Sequence, residues 1–160
     1  MAAQPIIEHP NRDKAASKAT RVVVILLLLV SVALFAVVTV GGWNALVGAQ
    51  MMQIFYIVVY LVLAFFVARW NRGVLPVIAA LAIIMLIFAA VATPAWFDRD
   101  KTGFTDPELA SEILGTITAI IVPVQVLLIA FAMRGFQQAW NVEVERYADG
   151  TSNAPAPAAA

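Results

Sequence analysis

Gln53, Tyr56, Tyr60, Thr118 and Gln125 are hydrogen-bonding side chains set inside long apolar stretches, with Gly115 and Pro123 close to the last two. Gln53, Tyr56 and Tyr60 follow steps of three and four residues, which places them on one face of a helix. Ser111, Gly115, Thr118, Val122, Gln125, Ile129 and Ala132 repeat the same alternation further along the chain. Small residues in such a stripe let two backbones approach closely. Thr118 and Gln125 can hydrogen-bond a neighbouring helix instead of leaving polar groups in hydrocarbon. Pro123 leaves the carbonyl of Ala119 without its helical donor and predicts a kink. A kinked helix beside a glutamine can line a solute path. Membrane helices also absorb proline by local rearrangement, so a packing seam is the preferred reading. Tyr60 and Gln125 fall at comparable depths, and their faces are expected to meet. One such bond contributes about 0.6–2 kcal/mol, enough to orient helices.

Other chemistry is sparse. The chain has no cysteine, which excludes thiol catalysis and thiolate metal sites, and its single histidine, His9, lies in a polar arm. No HExxH, GxSxG or Walker A pattern occurs in a suitable context. No Asp, Glu, Lys, Arg or His lies centrally in an apolar run, which weakens an ion-driven transport mechanism. An enzyme, a cofactor and a metal are therefore not expected. The zero formal charge gives no support to nucleic-acid binding. Asp98-Arg99-Asp100-Lys101-Thr102-Gly103-Phe104-Thr105-Asp106 resembles the first part of an EF-hand calcium loop. Its twelfth position is Leu109 rather than a bidentate glutamate, and Arg99 and Lys101 lower its negative charge, so a solvated loop is preferred. Asp100 to Gly103 also resembles the phosphorylated-aspartate motif of P-type ATPases. That resemblance is rejected, because it covers four residues and lacks the nucleotide-binding domains such chemistry needs.

The elements that must position these side chains follow from hydropathy. Of the 160 residues, 62% are hydrophobic and 12% charged, whereas soluble domains carry about 25% charged residues. The fold class expected is an all-α integral membrane protein, an antiparallel bundle of four transmembrane helices at about 22–40, 50–68, 74–92 and 112–134. These belong to one membrane domain, 22–147. Residues 1–21 read as a solvated basic arm. An uncleaved first span is preferred to a signal peptide, because its apolar run is too long and more spans follow. Between the second and third spans, Gly73 is expected to supply a left-handed residue. Pro76 falls in the first turn of the third span, and Thr93-Pro94 is expected to close it. An external loop, 93–111, follows. There Asp106 is expected to cap a helix starting near Pro107. Gly135 to Tyr147 could continue that helix, and 148–160 reads as a disordered Ala/Pro tail.

With four spans, Arg12, Lys14, Lys18, Arg21, Arg69, Arg72, Arg134 and Arg146 share one side, eight of the ten basic residues. The positive-inside rule then places both termini in the cytoplasm, in the plasma membrane of a bacterium. Trp43, Trp70, Trp96 and Trp140 each follow one span, as interfacial aromatics would. The basic arm also suits anionic headgroups, although its role in topology suffices to explain it. The functional expectation is an accessory, scaffold or assembly subunit of a larger membrane complex. Its partners would be the lipid bilayer and a membrane protein or a second copy of the chain. The alternative is a small oligomeric transporter or channel using the Tyr60, Gln125 and Pro123 region.

Overall fold

A computed structural model describes residues 6–100, 103–146 and 152–153, leaving aside the side chains of Asp100, Ser152 and Asn153. Its four long helices are α2 (Ala15–Gly41), α3 (Gln50–Ala68), α4 (Val74–Phe97) and α5 (Ser111–Gln137), preceded by the single turn α1 (Pro10–Asp13). The chain is 77% helical, and these four are long and apolar enough to span a membrane. At about 1.5 Å per residue, the 19 residues of α3 match a hydrocarbon core of about 30 Å, whereas the 27 residues of α2 and of α5 overshoot it by about 10 Å.

The packing is read from the buried stripes. On α2, Ser17, Thr20, Val24, Leu28, Ser31, Phe35 and Val38 are buried at steps of three or four residues. On α5 the buried set is Leu114, Gly115, Thr118, Ile121, Gln125, Leu128, Ala132 and Gly135. Helix α5 packs against both α2 and α4, and α2 also packs against α3. This corrects the expected α5 stripe. Ser111, Val122 and Ile129 are only half-buried, while Ile121 and Leu128 are buried completely or nearly so. A helix clasped on two sides buries a wider arc, centred between its neighbours, than a single seam requires. Outward-facing positions carry Val22, Leu26, Leu61, Ile87 and Val126, all exposed. An apolar exterior around the helices fits hydrocarbon as the solvent.

Both ends of the helices depart from the expected boundaries. The supposed solvated arm continues α2 backwards to Ala15 and buries Ser17 and Thr20. It also contributes β1 (Ile6–Glu8), which pairs antiparallel with β2 (Val144–Arg146), itself paired with β3 (Ser152–Asn153). The all-helical expectation therefore needs this small sheet added. Of the expected Ala/Pro tail 148–160, Ser152–Asn153 form β3 and the rest lies outside the described residues. Helix α5 stops at Gln137 instead of running on to Tyr147, because Ala139 takes a left-handed φ of 48° and turns the chain towards β2.

Trp70 with φ 61°, rather than Gly73 with φ −62°, supplies the left-handed residue after α3. The N–H of Trp70 donates to Val67 O (3.0 Å) and that of Asn71 to Phe66 O (3.1 Å), the two bonds of a Schellman motif. At the opposite end, Pro94 does not stop α4, which continues to Phe97. Nor does α5 begin at Pro107: it begins at Ser111 behind Ala110, which offers no side-chain cap. Residues 106–109 are held elsewhere. Leu109 N–H donates to Gly41 O at 2.9 Å, and Asn44 Nδ2 donates to Glu108 Oε1 at 3.2 Å. The N–H of Leu109, the donor that an Asp106 cap would have accepted, is thus given to α2 instead.

Candidate helix-packing site

Midway along the helices lies one continuous chain of hydrogen bonds. Tyr60 O–H of α3 donates to Gln125 Oε1 of α5 at 2.8 Å, and Gln125 Nε2 donates to Ser31 Oγ of α2 at 2.9 Å. Ser31 in turn donates to the Leu27 carbonyl of its own helix at 2.7 Å. Three helices are thereby joined, with each donor ending on an acceptor and Tyr60, Gln125 and Ser31 at 0% exposure. A fully satisfied buried network orients its helices, whereas a partly satisfied one would destabilise them. Phe35 flanks the layer, its ring centroid 5.5 Å from Tyr60 and 6.2 Å from Tyr56, the latter edge-on. Tyr56 reaches across to the Leu81 carbonyl of α4 at 3.4 Å. The expected meeting of the Tyr60 and Gln125 faces is thus present. Ser31 was not foreseen, although it is the one polar residue in the run from Val22 to Val38.

The remaining candidates behave differently from one another. Gly115 provides close approach: a Cβ there would lie 2.9 Å from the Phe97 ring and 3.1 Å from Trp96 Cβ, so α4 and α5 meet at this point. Thr118 does not reach a neighbouring helix; its hydroxyl donates to Leu114 O of its own helix at 2.7 Å. A threonine on a helix satisfies itself this way whenever no better acceptor stands opposite. Pro123 faces outward, on the exposed side of an unbroken α5, and does not line the interior. Gln53 is half-buried, and its Oε1 is enclosed without a hydrogen-bond partner.

Gln53 lines a gap. Although α3 and α4 follow each other directly, they touch far less than the other neighbouring pairs. Between them opens an apolar cleft of about 400 Å³, bordered by Met52, Gln53, Phe88 and Ala92 and floored by Thr118 and Ile121 of α5. An enclosed amide oxygen without a donor costs about 1–3 kcal/mol, so Gln53 leaves the cleft chemically incomplete.

The helix end that carries most of the cations is tightly tied. Trp140 has 0% exposure, with its ring edge-on to Trp70 at 5.3 Å. Arg72 Nε donates to Phe136 O (2.7 Å), and its Nη1 donates to Asn141 Oδ1 (2.9 Å). Arg12 Nε donates to Trp140 O at 2.9 Å, and Gln138 Nε2 to Thr20 Oγ1 at 3.0 Å. Trp96, at the other end, is also buried, with the Arg99 guanidinium 4.7 Å above it. Two of the four tryptophans are therefore packing residues, and Trp43 is exposed as an interfacial ring would be. For the acidic loop, Asp98–Asp100 form a short 3-10 turn, while Lys101, Thr102 and the Asp100 side chain lie outside the described residues. Among the described residues no cluster of His, Cys, Asp or Glu could hold a metal ion. Compared with protein-family models, curated proteins and solved structures, the chain finds no match.

Proposed function

We propose that the chain is an accessory or assembly subunit that binds a helix of a larger membrane complex in the cleft between α3 and α4. The observation that carries this reading is Gln53, whose Oε1 is unpartnered and which lines an apolar cleft between two consecutive helices that barely pack. A partner helix bringing a small or apolar face and one donor would fill the space and satisfy the oxygen. Four antiparallel spans, with both termini in the cytoplasm of a bacterial inner membrane, are part of the same proposal. The support is the side bias of eight of ten basic residues and the shared position of the α2 start and the α5 end, joined through Thr20 and Gln138.

The transporter reading stands second. Gln125 is occupied by Tyr60 and Ser31, and Pro123 faces outward, so neither favours a solute path. Co-purification of the wild type and Gln53→Leu in mild detergent tests the proposal. The substitution removes the amide that the partner would satisfy, leaving an isolated chain as stable or more stable. It is expected to lower the recovery of a stoichiometric partner. Unchanged recovery would count against the cleft.

A further inference from the structure

We propose that a concavity at the start of α2 is a binding site for the headgroup phosphate of one anionic phospholipid. The concavity measures about 670 Å³ and is lined by Arg12, Lys18, Arg21 and Trp70 together with Glu8, His9 and Asp13. Arg21 is the decisive residue. It is half-buried, its guanidinium lies 4.4 Å above the Trp70 ring, and its Nε is enclosed without a hydrogen-bond partner. No carboxylate among the described residues pairs with it. A guanidinium next to an apolar span, with one face on an aromatic ring, is favoured by an acceptor with negative charge; because Nε is enclosed, Nη1 and Nη2 are the donors that a phosphate can meet in a bidentate way.

Of the two acids of the same concavity, Glu8 is engaged outside it and Asp13 only loosely within it. Glu8 is paired with Arg146 at 3.2 Å, and Glu143, on the adjoining segment, with His9 at 3.2 Å. Asp13 sits 3.8 Å from Lys18, a loose and largely exposed pair of little strength. Arg12 uses its Nε on the Trp140 carbonyl, which fixes the guanidinium at the rim. Three cations thus face two acids, and the excess is positive. A lipid is favoured over free phosphate by what lies alongside. Val22, directly after Arg21, begins the apolar run, and Val22 and Leu26 are exposed along α2, where acyl chains can lie once the phosphate is seated.

Native mass spectrometry of the full-length chain tests this, with phosphatidylglycerol and phosphatidylcholine of matched acyl chains offered separately. One phosphatidylglycerol per chain is expected to be retained and phosphatidylcholine released. Arg21→Gln is expected to weaken retention about fivefold, as loss of one basic residue at a membrane surface does, and millimolar inorganic phosphate is expected not to displace the lipid. Because Arg21→Gln could also disturb the packing of Trp70, Lys18→Gln repeats the test at a side chain that is 58% exposed. Arg134→Gln, an exposed cation outside the concavity, is expected to leave retention unchanged. Equal retention of both lipids, equal losses from Arg21→Gln and Arg134→Gln, full retention in Lys18→Gln, or displacement by inorganic phosphate would each overturn the proposal.

Discussion

Replacing Gln125 with leucine tests the central layer directly. The side chains are of similar size, so the change removes hydrogen bonds more than volume. Two interhelical bonds disappear, from Tyr60 at 2.8 Å and to Ser31 at 2.9 Å. Ser31 keeps its bond to Leu27 O, but the fully buried Tyr60 hydroxyl loses its acceptor. At about 0.6 kcal/mol for an average bond between membrane helices, and up to about 1.7, the two together predict a loss of roughly 1–3 kcal/mol. Tyr60→Phe removes one of the two and should cost about half as much. In the double variant no hydroxyl is orphaned, so its loss should fall short of the sum of the singles by about 0.6–1.7 kcal/mol. Reversible unfolding in mixed micelles, or steric trapping in bicelles, measures all four corners of this cycle. Additivity of the singles within about 0.3 kcal/mol would refute the coupling of α3 to α5 through this bond.

Gly115→Val should destabilise by about 1–3 kcal/mol, because its first added carbon meets the Phe97 ring at 2.9 Å and the next would force α4 from α5; thermal unfolding in detergent reads it. Ala110→Asp should stabilise by about 1 kcal/mol, since it supplies the side-chain cap that α5 lacks. Asp106→Ala, at an exposed position ahead of that helix, should change stability by less than about 0.5 kcal/mol. The reverse ranking of these two would restore a helix start near Pro107.

Four helices long and apolar enough to span a membrane were legible because each is a long apolar run with few alternatives, and the Tyr60–Gln125 contact because two polar residues at matched depth have nowhere better to turn. Helix ends were harder. Lys18 and Arg21 made the start of α2 look solvated, although Ser17 and Thr20, between and before them, form a small buried face. Asp106-Pro107 is a sound capping signal locally, but a long-range bond from Leu109 to Gly41 overrides it, and no pattern within the loop records that partner. Strands of two and three residues are too short to show an alternation, so the sheet joining Ile6–Glu8 to Val144–Arg146 left no trace. Ser31 could have been found by treating every polar residue within a span as a question. The unpartnered oxygen of Gln53 could not, because it depends on how far apart α3 and α4 stand.

Site-specific photo-crosslinking in intact membranes tests the accessory role most directly. A photoreactive residue placed at Met52 or Phe88, on the rim of the cleft, is compared with one at Val126, which is exposed away from it. The account predicts one discrete adduct with another membrane protein from the two cleft positions, lost on Gln53→Leu, and none from Val126. Adducts to lipid alone at all three positions, with the chain extracted as a uniform monomer, would contradict it.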